Sequence, residues 1–242
     1  MKVQKFFTAE TDFEKHYLQV RQAEGRILTV PEIQNLPETP DSYRHHQEWN
    51  QRKKSTRRLL QYITNKKPCK ILDIGCGNGW FLYKVADSAS VLTGIDVNQL
   101  ELNLAAEALS GLNQVDLIYG DVFEVSFKVS YDIILLNACV QYFEDFFKLI
   151  QRLKSLLAPG GEIHIVDSPF YINKTEAQAA KDRSSNYYQN KGVPEMANHY
   201  FHHSLDDLEQ FDFQVLYNPS SLHQRIKRKL MIDSPFYWIK VA

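Results

Sequence analysis

Cysteine is scarce in this chain, with three among 242 residues: Cys69, Cys76 and Cys139. The number is odd and the spacing matches no metal-binding pattern, so the chain reads neither as a disulfide-stapled scaffold nor as a zinc module. Reduced thiols in a cytoplasmic setting are the expectation. An excess of charge of either sign is lacking too. Lys and Arg number 28 against 29 Asp and Glu, a formal net charge of -1 that supplies no global attraction for nucleic acid or acidic lipid. No apolar run approaches the roughly 18 residues that a membrane-spanning helix needs, and residues 1–10 carry no charged-then-apolar export pattern. Internal repeats and low-complexity tracts are missing as well. These absences argue against membrane and nucleic-acid partners and against a bound metal.

What is present is an ordinary globular balance, 44% apolar and 24% charged, in a chain long enough for one sizeable core. Residues 1 to about 40 read as a preface, where Pro31, Pro37 and Pro40 forbid a long helix and suggest an extended crossing segment. A helix is expected from Asp41 to about Thr64, with Trp49, Leu59, Leu60 and Ile63 near one face and Pro68 at its exit. The basic residues Arg52, Lys53, Lys54, Arg57 and Arg58 read as its solvated face, and the run Arg225 to Lys229 reads the same way. Strands and helices then alternate. Strands are expected at 69–74, 91–95, 117–119, 131–136 and 162–167, with helices at 80–86, 99–109 and 142–158. This is the pattern of a parallel sheet with crossover helices. The unbroken apolar run Ile133 to Leu136 suits a strand covered on both faces. Residues 168 to about 203, polar and rich in Tyr, Asn and Lys, interrupt the alternation. Ser204 can cap a short helix, and 213–217 with 236–241 read as closing strands.

The most informative stretch is Ile71-Leu72-Asp73-Ile74-Gly75-Cys76-Gly77-Asn78-Gly79, an apolar strand ending in a loop with glycine at alternate positions. Glycine lets the backbone turn sharply and lets a ligand approach closely, and such strand–loop–helix corners hold nucleotide-like ligands in doubly wound proteins. The next strand ends in Gly94-Ile95-Asp96, where a carboxylate can accept from both hydroxyls of a ribose. The order Gly-x-Gly-x-Gly departs from the dinucleotide fingerprint Gly-x-Gly-x-x-Gly. Asp73, two residues before the first glycine, would repel a pyrophosphate but suits a ligand bearing ammonium and sulfonium groups.

On these residues, and on the later helix, Pro159-Gly160-Gly161 and strand, the chain resembles the class I S-adenosylmethionine-dependent methyltransferases. The resemblance covers about 69–167 well and 204–242 in outline. It implies an α/β, Rossmann-like doubly wound sheet of seven strands, mostly parallel with an antiparallel last strand and helices on both faces. The corresponding layout is an N-terminal cap over 1–65 and a methyltransferase domain over 66–242, with a lid-like insertion at about 168–203. With S-adenosylmethionine as cofactor, Gly75, Gly77 and Gly79 would pass beneath its methionine and ribose, and Asp73 would lie near its amino group. Asp96 would bind the ribose, Val97 would pack on the adenine, and Asp121 and the Val122 amide would read the adenine edge. In the loop after strand four, Asn137 would place its carbonyl near the methionine part, and Gln141 or Tyr142 would face the acceptor. That loop lacks the prolines of enzymes that methylate amines of nucleic-acid bases, and Cys139 reads as a buried small residue.

Methyl transfer is an in-line displacement that needs alignment, exclusion of water and sometimes a base. Histidine suits that last task. His202 and His203 are the first candidates, with His45 and His46 next, and adjacent histidines point apart, which disfavours a metal. Aromatic residues of the preface helix, the post-strand loop and the insertion would wall the acceptor pocket. The function expected is methyl transfer to a small or medium-sized metabolite. The alternatives are a cofactor-binding regulatory protein without turnover, or a tRNA or protein methyltransferase.

Overall fold

In the computed structural model, residues 3–6, 11–66 and 69–242 are described, so Pro68 lies outside the described residues. The main sheet holds β1 (Val3–Lys5), β2 (Cys69–Ile74), β3 (Ala89–Asp96), β4 (Val115–Tyr119), β5 (Tyr131–Asn137), β6 (Leu157–Val166), and, after a small parallel pair β7 (Phe170–Tyr171) and β8 (His203–Ser204), the strands β9 (Phe213–Tyr217) and β10 (Trp238–Val241). The helices are α1 (Asp12–Glu24), α2 (Val30–Asn35), α3 (His46–Thr64), α4 (Trp80–Val85), α5 (Gln99–Ala108), α6 (Phe146–Lys154), α7 (Lys174–Asn190) and α8 (Leu222–Leu230).

The strand order is β1-β4-β3-β2-β5-β6-β10-β9, parallel from β1 through β6, with β10 antiparallel to both β6 and β9. Side chains alternate across a strand, and β2 feeds two cores accordingly. Ile71 joins Trp49, Ile63, Phe81 and Leu102 on one face, while Leu72 and Ile74 join Ile134, Leu149 and Ile150 on the other. The chain leaves β2 toward β3 on one side and later returns to β5 on the other. This reversal opens a crevice at the carboxyl ends of β2 and β5, the usual ligand position in such sheets.

Several expectations need correction. The sheet has eight strands rather than seven, because Val3–Lys5 pairs in parallel with β4, Val3 opposite Leu117. The preface is helical rather than extended over Asp12–Glu24. Thr11 caps that helix by accepting from Glu14 N, and Gly25 ends it at φ 68°. Buried Glu14 anchors it, accepting from Gln99 N at 2.6 Å and from Tyr119 OH at 2.7 Å. The prolines lie beyond this helix, and Pro31 falls in the first turn of α2, where a missing amide costs nothing. The helix expected at 142–158 starts at Phe146, capped by Asp145, because Val140–Tyr142 forms its own 3-10 turn. The Pro-Gly-Gly run sits inside β6, beside its register shift against β5, instead of preceding it. The insertion is a 17-residue helix capped by Asn173, followed by a 3-10 turn at Pro194–His199. The basic face of α3 is not wholly solvated either: Arg52 turns inward toward Asp167, and Arg58 pairs with buried Asp233.

Candidate cofactor and acceptor site

The glycine loop is fastened to the end of β3, since Gly75 N and Cys76 N both donate to Ile95 O at 2.8 and 3.2 Å. Gly75 has φ 63°, and a Cβ there would stand 2.7 Å from Cys139 Cβ, so the loops after β2 and β5 touch with no room for a side chain. Asp96 closes the other side. Its Oδ2 accepts from Gly77 N at 2.7 Å and its Oδ1 from Asn98 N at 2.8 Å, which fixes the carboxylate plane. At the ends of β5 and β6, Ala138 and Asp167 hold φ values of 59° and 50°, left-handed conformations that non-glycine residues adopt at a cost and that cluster at ligand sites.

Two compartments meet over this loop. The larger, about 580 Å³, is bordered by Asp73, Arg52, Trp80, Gln141, Asp167 and a group of tyrosines. The smaller, about 100 Å³, is bordered by Asp96, Val97, Asp121, Val122, Phe13 and Phe143. Tyr17, Gly75, Gly77, Ala138 and Tyr142 line both. The joined space is therefore small and mostly apolar at one end and larger and more polar at the other.

Its electrostatics point to a charged guest. Asp73 is 2% exposed, and its Oδ1 has no hydrogen-bond partner. Burial pushes its carboxyl up to about 8; the charge of Asp96 adds to the effect and Arg52 opposes it. Burial likewise raises Asp96 to about 7, against the amides of Gly77 and Asn98. Arg52 lies 4.7 and 5.3 Å from the ring centres of Trp49 and Trp80 and 3.7 Å from Asp167, while Arg21 lies 3.6 Å from Glu101. Both guanidinium Nε groups are buried without a hydrogen bond. One carboxylate oxygen without a hydrogen bond and two guanidinium groups whose Nε atoms are held only by ion contacts of 3.6 and 3.7 Å border the larger compartment, which suits the ammonium and carboxylate of an amino-acid moiety.

A pH dependence follows. The folded values of Asp73 and Asp96 lie above the ordinary 3.8, so from about pH 4 to about pH 8 the folded chain binds more protons than the unfolded one. Stability contributed by these two groups is present below pH 4 and lost as pH rises through 7 and 8. His164, His202 and His203, all lowered by burial, oppose this trend at about pH 6. The ligand-free protein should therefore lose melting temperature between about pH 7 and 8.5, above their titration. A cation on Asp73 should flatten the decline. Thermal scans with and without S-adenosylhomocysteine would show it, and parallel curves would contradict it.

Most residues expected at the site border this space. Asp73, Gly75, Gly77 and Asn137 line the larger compartment; Asp96, Val97, Asp121 and Val122 line the smaller. Gly79 borders neither, and packs α4 on α5, where its Cβ would meet Leu109 Cδ1 at 2.9 Å. Asp121 also stabilises its own turn, accepting from Phe123 N at 2.9 Å. Cys139 is buried; its Sγ donates to Ile74 O at 3.0 Å, and burial pushes the thiol well up.

The histidines lie elsewhere. The pairing of β8 with β7 turns His203 into the second core beside Phe146 and Phe170, its Nε2 2.9 Å from Phe143 O. His202 meets Ser184 Oγ at 2.8 Å and borders a separate surface depression. His45 binds Glu24 O, and His46 binds Thr39 and Asn50. None of the four lines either compartment. The sequence reading overlooked Tyr17, Arg21 and Arg52. Tyr17 and Arg21 stand one turn apart on α1, and Arg52 follows Trp49 by one turn on α3, spacings that place each pair on one helix face. Tyr17, Tyr142, Tyr188 and Tyr200 form a chain of rings with centroids 5.6 to 5.8 Å apart. Burial raises their hydroxyls above the ordinary range, which keeps them neutral.

A family model described as a methyltransferase domain matches residues 65–228. The chain belongs to the class I S-adenosylmethionine-dependent methyltransferase family. Among curated proteins it is similar to a malonyl-[acyl-carrier protein] O-methyltransferase of Calditerrivibrio nitroreducens, 33% identical over 112 residues that make up 45% of this chain and 43% of the relative. It is also similar to a demethylmenaquinone methyltransferase of Staphylococcus aureus, 27% identical over 135 residues, 54% of this chain and 56% of the relative. The chain thus spans about half the length of the curated relatives it matches. Among solved structures, the plantazolicin methyltransferase BpumL, in complex with a triazolic desmethylPZN analog and SAH, aligns with a TM-score of 0.56 at 19% identity, covering 96% of this chain and 98% of that one. The DhpI–SAH complex aligns with the same TM-score at 14% identity and the same coverage. At these identities the likeness is one of fold.

Proposed function

We propose that this methyltransferase binds S-adenosylmethionine across both compartments and methylates a small organic acceptor held in the larger one. The observation that carries the reading is the pair of carboxylates flanking the glycine loop, Asp73 with a free Oδ1 and Asp96 with its plane fixed by two amides. Asp73 would hold the ammonium group, and Arg52 and Arg21 the carboxylate. Asp96 would accept from the ribose hydroxyls, while Val97, Val122 and Phe143 would enclose the adenine with Asp121 at its edge. When bound, the cofactor supplies an electrophilic methyl group on a sulfonium.

Tyr142, bordering both compartments, stands where donor and acceptor regions adjoin. The ring chain of neutral tyrosines offers aromatic faces to a cation in this region. Since no histidine among the described residues lines either compartment, the proposed mechanism assigns no role to His202 or His203. Alignment and desolvation are what the chain contributes most directly. A small acceptor accords with the curated relatives, one named for a malonyl group on a carrier protein and the other for demethylmenaquinone.

Titration calorimetry with S-adenosylhomocysteine tests the cofactor site. Asp96→Ala removes a charged acceptor worth about 1.5–3 kcal/mol, so affinity should fall more than tenfold. Unchanged affinity, or tighter binding of a nicotinamide dinucleotide, would overturn the assignment. A methyl-release screen over small metabolites then identifies the acceptor.

A further inference from the structure

Helix α8 is oriented the wrong way round for a helix on a water-soluble surface. Leu222, Ile226 and Leu230 recur at four-residue spacing, so they form one stripe, and they are 74%, 54% and 81% exposed. The stripe continues off the helix end through Met231 and Ile232, both more than half exposed. The polar side faces the protein: Gln224 buries its Oε1, and Lys227 Nζ lies 3.7 Å from buried Asp233. Burying such a stripe is worth roughly 25 cal/mol per Å², and the fold leaves that gain unused.

The charge around the stripe says what could cover it. Residues 218–232 contain no Asp or Glu and carry Arg225, Lys227, Arg228 and Lys229. A net charge of -1 for the whole chain conceals this local concentration of positive charge. Position matters as well. β9 runs parallel to β6, because each pairs antiparallel with β10, so α8 leaves the sheet at the same carboxyl edge as the glycine loop. The segment after α8 reaches the larger compartment through Phe236.

We propose that α8 docks this protein on an anionic lipid surface, with the apolar stripe in the acyl boundary and the arginines among the headgroups. An apolar stripe flanked by cations is the form of helices that lie in the plane of a membrane interface. A fluid bilayer receives the protruding Leu230-Met231-Ile232 end without a preformed groove. The docking is peripheral: no helix among the described residues is long and apolar enough to cross a membrane. It would bring the mouth of the cavity near the lipid. The inference goes beyond the proposed function and stands independently of the acceptor.

Vesicle co-sedimentation of the full chain tests it, comparing phosphatidylcholine vesicles with mixed phosphatidylcholine–phosphatidylglycerol vesicles. Binding should need the anionic lipid and weaken with salt. Arg225→Glu with Arg228→Glu should lower the partition coefficient at least about tenfold, at ~1 kcal/mol per basic residue near the surface. Ile226→Asp with Leu230→Asp should do likewise while leaving S-adenosylhomocysteine affinity unchanged, which shows the variants folded. Equal sedimentation with neutral vesicles, or retention of binding by both double variants, would overturn the proposal. So would a wild-type dimer in sedimentation velocity that Ile226→Asp makes monomeric, since a second copy would then cover the stripe.

Discussion

Gly75→Ala should destabilise the protein by about 2–5 kcal/mol, the sum of a left-handed alanine and an overpacked contact. The residue sits at φ 63°, and the new Cβ would come within 2.7 Å of Cys139 Cβ and 3.2 Å of its Sγ. Neither partner yields easily, because Cys139 is buried and tied to Ile74 O while Gly75 is tied to Ile95 O. Gly77→Ala supplies the control. It shares the positive φ, 52°, but its Cβ would meet only Glu101 Oε2 at 3.8 Å, so it should cost only about 1–2 kcal/mol. Urea unfolding of the two variants separates the contact from the strain. Equal losses would mean that the loops after β2 and β5 are not pressed together as described. Cofactor affinity should fall with Gly75→Ala as well, since any retreat of Cys139 displaces Ala138 and Asn137 on the cavity wall.

Arg58→Ala should cost about 3–5 kcal/mol, because it leaves a buried carboxylate uncompensated. The Asp233 side chain is 2% exposed; its Oδ1 pairs with Arg58 and accepts from Ser234 N at 2.8 Å. The Arg58 guanidinium also lies 4.0 Å from the centre of the Tyr217 ring. Lys227, 3.7 Å from Oδ2, offers partial relief and places the expected loss toward the lower end of that range. The two partners are not equivalent. Arg58 is 27% exposed and can turn to water, so Asp233→Asn should cost less than Arg58→Ala, and the double variant less than Arg58→Ala alone. Unfolding free energies in that order support the account. A larger loss for Asp233→Asn would contradict it and point to the Ser234 turn as the structural requirement.

The glycine loop and its two carboxylates were legible because their information is local. Strand, turn and helix follow within about a dozen residues, and a buried parallel strand announces itself by an unbroken apolar run. The alternation of 69–167 was readable for the same reason. Helix α1 was harder. Its start signal, Thr11-Asp12 with Glu14, is local, but the prolines at 31–40 bear only on the chain beyond its end at Glu24. The strand β1 is three residues long, and only its partner β4, more than a hundred residues away, makes it a strand.

What the chain determined by its order alone was a doubly wound sheet and a nucleotide-like site at the ends of its first strands. The tertiary structure decided which way the ambivalent side chains face. Arg52 was one of five basic residues on α3, and docking against Trp80 and Asp167 made it a wall of the cavity. His203 was a candidate base and Tyr142 a candidate to face the acceptor. The β7–β8 pairing sent the histidine into the core, and the 3-10 turn at Val140–Tyr142 brought the tyrosine to both compartments. Arginine, histidine and tyrosine are each accommodated by water or by a buried partner. Sequence period therefore cannot choose for them, and the choice belongs to contacts with residues far along the chain.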